Sequence, residues 1–303
     1  MPADRGRSFR LARDEELAAG LARVAAGRAE AALERLREAE RGESDAAAAI
    51  HGSRKDLKKL RTVLRLLRDE LGGKRYRRAS VRFREAARAL SESRDAEVKL
   101  ATLEALCERA GGLPDGAVDA WRKILQRDRE ALAGTPRSAA LTAEAAGEIE
   151  AGLEEIRGWN LEGSSWKTIG PALTRSYRRG RTAMKAAAGG GEDELHEWRK
   201  RAKDLWYELR LLQRAWPGPL EATAEEAHTL GEMLGDHHDL AVLREDLGER
   251  NLGLLEAQTL AAAIERRQEE LAEGALALGR RLYAEQPKQF ERRLRRYWQA
   301  WRG

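Results

Sequence analysis

His51-Gly-Ser-Arg54-Lys55-Asp-Leu57-Lys58-Lys59-Leu60 returns 145 residues later as His196-Glu-Trp-Arg199-Lys200-Arg-Ala-Lys203-Asp-Leu205. The match continues through Leu64 and Leu209, Arg65 and Arg210, Leu66 and Leu211, and Leu67 and Leu212. A second block follows in each half at an offset of 144, in which Leu90, Arg94, Asp95 and Val98 answer to Leu234, His238, Asp239 and Val242. Two blocks in the same order at nearly the same spacing mark an internal duplication, so one unit is used twice.

The repeated segment has helical periodicity. At 100° per residue Leu57, Leu60, Val63, Leu64 and Leu67 share one side, and His51, Arg54, Lys58, Arg61 and Arg65 the other. The second copy sets Leu205, Leu209 and Leu212 against His196, Arg199, Lys203 and Arg210. Only seven prolines interrupt the chain, long Ala/Leu/Glu/Arg runs dominate it, and no segment alternates as a strand would. The expected fold is all-α, with each half a bundle of about four helices burying several apolar stripes together. Gly158 and Gly163-Ser-Ser break the periodicity before it resumes at Trp166, which divides the chain into residues 1–158 and 159–303. Further breaks fall at Gly72-Gly73, Gly111-Gly112-Leu-Pro114, Thr135-Pro136, Gly189-Gly-Gly191 and Trp216-Pro-Gly-Pro219.

Apolar residues make up 42% of the 303 and charged residues 35%, enough to pack a core and too much to leave the chain disordered. The lone cysteine, Cys107, excludes an intrachain disulfide and fits a small core position in a reducing compartment. Residues Met1 to Arg13 lack an apolar run of leader length, and nothing later is long enough to span a bilayer, so a cytoplasmic protein is expected. The net charge of +5 is unevenly spread: residues 51 to 94 hold fifteen Lys or Arg against five Asp or Glu, leaving the remainder at −5.

A solvated helix face normally interleaves opposite charges at i,i+4, each pair stabilising by about 0.2–0.5 kcal/mol and each like pair costing as much. Along Arg54, Lys58, Arg61 and Arg65 no acid intervenes, and Asp56 and Asp69 lie off the centre of that face. Repeated self-repulsion of this kind calls for carboxylates from a neighbouring helix or for a bound anion. Arg presents a fork that matches phosphate oxygens and Lys a compact charge, so a mixed row suits successive phosphates. Two such rows, if the halves pack about a pseudo-twofold axis, combine into one groove or pore that admits a thin chain and excludes a duplex.

The repeated His-x-x-Arg, the Lys58-Lys59-Leu60-Arg61 run, Arg94-Asp95 with Val98, and His196-x-x-Arg-Lys with Lys203, Tyr207 and Leu234-Gly235 through His238-Asp239 resemble the CHAD family, the conserved histidine α-helical domain. The resemblance spans nearly the whole chain. It implies two pseudo-symmetric four-helix bundles, a basic central cavity, and non-catalytic binding of inorganic polyphosphate, with association to polyphosphate granules, no cofactor and no metal. On that resemblance His51, Arg54, Lys58, Arg61 and Arg65 match the first motif and His196, Arg199, Lys200, Lys203 and Arg210 the second, while Arg94 and His238 begin the downstream pair. Two residues depart from the pattern: Lys55 stands at a commonly apolar position, and Trp206 at one that is often Arg and is expected to pack at an interface. Asp95 and Asp239 follow what read as helix breaks, where a carboxylate caps an N-terminus or holds a neighbouring cation.

Three other readings stand beside this one. His237-His238-Asp239, with His51, His196 and His228, suggests a metal-dependent phosphohydrolase, but no His-x3-His pair and no supporting Cys or carboxylate set accompanies it. The signature of a triphosphate-hydrolysing β-barrel is likewise missing, since Glu148-Ile-Glu150-Ala-Gly152 lacks the Lys and lies in helical sequence. Nucleic-acid binding draws on Lys74, Arg75, Arg77, Arg78, Arg82, Arg84 and Arg88 and on a tail containing Arg292, Arg293, Arg295, Arg296 and Arg302 beside Tyr297, Trp298 and Trp301. Against it, aromatics are only 5% of the chain, scarce on the repeated helix, and the eight tryptophans are expected to pack between helices. An acidic protein partner is the third reading.

Overall fold

The computed structural model describes residues 6–90, 95–132, 135–250 and 252–303, and these residues form α-helices, two short 3₁₀ turns and connecting loops. The helices are α1 (Leu17–Glu40), α2 (Ala46–Leu66), α3 (Arg68–Ala89), α4 (Asp95–Arg109), α5 (Asp115–Leu132), α6 (Pro136–Arg157), α7 (Gly170–Ala187), α8 (Glu192–Leu212), α9 (Pro217–Gly248), α10 (Leu254–Leu282) and α11 (Pro287–Arg302). Their ends follow local chemistry. The Asp45 side chain accepts from the Ala48 N–H at 2.7 Å to cap α2, Pro217 opens α9 where no intrahelical donor is needed, and Gln286 with Gln289 close a capping box on α11. At Gly72, φ of 72° breaks the helical path inside α3, a conformation costly for any side chain with a Cβ. Among the described residues no helix is long and apolar enough to cross a membrane.

In the first half α1, α2, α3 and α6 pack as a ring, each against two neighbours. Leu57, Leu60, Val63 and Leu67 of the first motif segment are all fully buried, as their shared face requires. In the second half α7, α8, α9 and α10 pack successively, and α11 lies against α7. Three mid-helix glycines serve here as notches for rings. A Cβ on Gly152 of α6 would lie 2.3 Å from Phe83, one on Gly180 of α7 2.4 Å from Tyr283, and one on Gly279 of α10 2.3 Å from Trp198. Each mid-helix glycine costs about 1 kcal/mol of helix propensity, offset by the roughly 1.5–3 kcal/mol of burying an aromatic side chain.

The apolar packing does not divide at residue 158. One core runs from Leu17, Leu21 and Leu57 through Ile156 to Trp166, Leu205 and Trp298. A second core is built from Leu103, Leu106, Val118, Trp121 and Leu125 of the α4–α5 hairpin together with Leu240, Leu243, Leu247, Leu260, Ile264 and Leu271 of α9 and α10. The hairpin from the first half thus covers an apolar stripe of the second. This exchange puts the leucines at the far ends of α9 and α10 in one core with the hairpin. Cys107 is half-buried at the margin of this second core. Asp246 pins the exchange: its buried carboxylate takes Lys99 Nζ at 2.8 Å from α4, Trp121 Nε1 at 2.9 Å from α5 and Arg250 at 2.7 Å. Hydrogen bonds from these three side chains hold its pKa down to about 2, against the opposing effect of burial.

Candidate functional site

α2 and α8 lie against each other, and their contact brings the two motif segments together. The cationic sides of both helices line one cavity of about 380 Å³. Arg54, Lys58, Arg61 and Arg65 reach it from α2, and His196, Arg199, Lys200 and Lys203 from α8, with His238 added from α9. Val98 and Val242, the paired valines of the second repeated block, form apolar walls. Of the residues marked by the sequence, His51 and Arg210 do not line this cavity. His51 borders an adjoining depression of about 600 Å³ with Lys55 and Lys59, joined to the first at Val98, and the Arg210 guanidinium lies 5.6 Å over the Trp206 ring. Arg94 lies outside the described residues.

Eight Lys or Arg side chains line the cavity against two carboxylates, Asp204 and Asp239. Asp204 pairs with Arg65 across the helices and with Arg201 at 3.1 Å along its own, Asp239 stands 3.8 Å from Arg199, and Glu232 meets Lys203 at 3.3 Å. Neighbouring helices therefore supply some of the compensation that the bare stripe called for, and the cations outnumber it. The strain is visible in the titrating groups. Burial pushes the Lys203 ammonium down and Arg199 adds to that, while burial and then Arg65 do the same to Arg61. The His196 and His238 rings lie 4.2 Å apart. Burial, then His238, Lys200 and Arg199, lower His196 to about 4, and burial and Arg199 lower His238, so both are neutral at pH 7.

Two glycines of α9 set the positions of the cations. A Cβ at Gly235 would lie 3.2 Å from Arg199 Nη2, and one at Gly231 3.3 Å from Lys203 Cγ. One helical turn apart, these glycines form a smooth ledge along which both long side chains run toward the cavity. Leu234-Gly235 was visible as part of the motif, but its role as a ledge needed the packing of α9 on α8.

Several functional groups had no assignment from sequence. Arg201, Asp204 and Tyr207 line the cavity; Asp204 in particular was hidden because its partner, Arg65, is 139 residues away. Asp239 does not follow a helix break, since α9 runs without interruption from Pro217 to Gly248, and its carboxylate faces the cation Arg199 instead. His237 points away, buried, with its carbonyl accepting from Gln268 at 3.2 Å. Among the described residues no group of three or more His, Cys, Asp or Glu is placed to hold a metal ion. Trp206 stacks on His228 at 4.1 Å and on Tyr207 at 4.5 Å, as interface packing requires. Of the tail aromatics, Trp298 is buried, Tyr297 meets Trp216 edge-on and Trp301 is half-buried.

Comparison with known proteins adds a lineage to this geometry. The family model described as CHAD domain matches residues 27–248. Over 220 residues the chain is 30% identical to uncharacterized protein MT2285 of Mycobacterium tuberculosis strain CDC 1551 / Oshkosh, and equally to uncharacterized protein Rv2226 of strain ATCC 25618 / H37Rv. In both cases the match covers 67% of this chain and 40% of the relative, so the chain spans less than half the length of these proteins. Since the family model covers all of α2 through α9, including both cationic helices and the cavity between them, the chain belongs to the CHAD domain family.

Proposed function

We propose that the protein binds inorganic polyphosphate in the cavity between α2 and α8 and leaves it chemically intact. The observation that carries this reading is the convergence of eight Lys or Arg side chains, drawn from two sequence-related helices, on one cavity of about 380 Å³. Each cation offers a phosphate oxygen a charge-assisted hydrogen bond of about 1.5–3 kcal/mol, strengthened where the walls exclude water. The CHAD domain is associated with polyphosphate binding in general, which supports the choice among anions. Other linear polyanions share part of this chemistry and enter as competitors, and association with cytoplasmic polyphosphate granules follows from the same reading.

Retention of fluorescent polyphosphate, single-stranded DNA and duplex DNA across a salt series tests it. Polyphosphate is expected to bind tightest and all three to weaken as salt rises. Lys58→Glu with Arg199→Glu is expected to cut polyphosphate affinity by at least about 100-fold with helicity by circular dichroism unchanged. Preferential retention of single-stranded DNA, or undiminished polyphosphate binding by the double variant, overturns the reading.

A further inference from the structure

The main cavity does not end at the Arg65–Asp204–Arg201 cluster. On the far side of the same three side chains lies a smaller chamber of about 30 Å³, bordered by Arg68, by Arg175 and Arg179 of α7, and by Glu208. Arg65, Arg201 and Asp204 border both spaces, so these three residues are shared between the main cavity and the chamber. Two polar atoms at the chamber are buried without a hydrogen-bond partner, Arg65 Nε and Glu208 Oε2. The first is a donor awaiting an acceptor. Glu208, fully buried beside Asp204, is pushed up to about 8, so at neutral pH it is largely uncharged and does not cancel the arginines. Asp69 offsets only Arg175, at 2.8 Å. Beyond the chamber, α7 carries Arg175, Arg178, Arg179, Arg181 and Lys185 and no acidic residue at all, and Arg178 and Arg179 are exposed.

We propose that this chamber is a second phosphate subsite, through which a polyphosphate chain longer than the main cavity continues onto the outer face of α7, with Asp204 as the latch that holds Arg65 across the opening. A phosphate arriving at this cluster offers Arg65 and Arg201 the oxygens that Asp204 supplies in its absence, and the displaced guanidiniums open the way. Arg68 and Arg179, both exposed, then meet the emerging chain. The subsite rests on the reading of the main cavity as a polyphosphate site, and it makes affinity depend on chain length.

Titration of the full chain with tripolyphosphate and with long-chain polyphosphate separates the two claims. Arg68→Glu with Arg179→Glu, at exposed positions that leave the fold intact, is expected to lower long-chain affinity about tenfold and leave tripolyphosphate binding unchanged. Asp204→Asn, which removes the latch, is expected to widen the ratio of long-chain to tripolyphosphate affinity several-fold. Long-chain affinity unchanged in the Arg68/Arg179 variant, or equal loss for both ligands, overturns the subsite. If Lys58→Glu with Arg199→Glu leaves both ligands bound, the main-cavity reading fails instead, and the subsite with it.

Discussion

Arg210 confronts Lys59 at the place where the offset of 145 calls for a copy of the Arg65–Asp204 ion pair. That offset carries Arg65 to Arg210 and Lys59 to Asp204, so one pseudo-equivalent contact joins opposite charges and the other like charges. The pair within each helix is reversed as well: Asp56 with Lys59 at 3.3 Å on α2 becomes Arg201 with Asp204 at 3.1 Å on α8. Arg210, without a carboxylate across the crossing, lies over Trp206 instead. Burial lowers the Lys59 ammonium, with Asp56 opposing and Arg28 and Arg210 adding to the effect. Asp56 keeps Arg28 at 3.0 Å and Arg35 whether or not Lys59 is present. Lys59→Met is therefore expected to stabilise the fold by about 0.5–1 kcal/mol, raising Tm by about 2 °C in thermal melts. A lower Tm would show that the Lys59–Asp56 bond outweighs the repulsion.

Ligand affinity should rise as pH falls. Both His196 and His238 are neutral in the free protein at pH 7 because burial and neighbouring cations disfavour their charged forms. A polyanion replaces that repulsion with attraction, so the rings titrate higher in the complex and take up protons on binding. Polyphosphate affinity should increase about three- to tenfold between about pH 7 and pH 5, and His196→Gln with His238→Gln should flatten the profile. The free protein behaves oppositely. His196 is depressed from 6.5 to about 4, so its contribution to stability is complete above 6.5 and lost as pH falls through 4. An affinity profile with the same slope in wild type and double variant would remove the histidines from the linkage.

Gly235→Ala should separate stability from binding. An added methyl improves helix propensity by about 1 kcal/mol, and the atom it crowds is the far end of the flexible Arg199 side chain. Tm should hold or rise by about 2 °C while polyphosphate affinity falls roughly three- to tenfold, as Arg199 is pushed off the ledge. Unchanged affinity at normal stability would deny the ledge its role.

Removing the Asp246 carboxylate strands three donors beneath the second core. Asp246→Ala is expected to cost about 3 kcal/mol or more, and hydrogen exchange should accelerate in residues 95–132 before it does in α2 and α8. Uniform acceleration throughout the chain would mean that the hairpin does not open as a unit.

Much of this was legible in the residues themselves. A period of 3.6 placed Leu57, Leu60 and Val63 inward and Arg54, Lys58 and Arg61 outward, and the repetition of that pattern pointed to a shared space between α2 and α8. What periodicity does not encode is how far along each helix the crossing falls. His51 and Arg210 share the angular position of their neighbours, yet His51 borders the adjoining depression and Arg210, across from Lys59, lies over Trp206, so both miss the cavity. Asp204 was invisible as a counter-charge because its meaning depends on a partner brought near only by tertiary packing. The notch glycines Gly152, Gly180 and Gly279 carried no signal for a related reason: a missing Cβ looks the same in sequence whether it frees the backbone or admits a neighbouring ring.

The α4–α5 hairpin gives the chain a dependence that a string of two separate bundles would lack. Cleavage between the repeats leaves α9 and α10 with a bare strip of Leu240, Leu243, Leu247 and Ile264, and strands Trp121 on the other fragment. Neither fragment is a smaller version of the whole. Mixed together, the two should reassociate through that strip, as complementary pieces neither of which can shed the other.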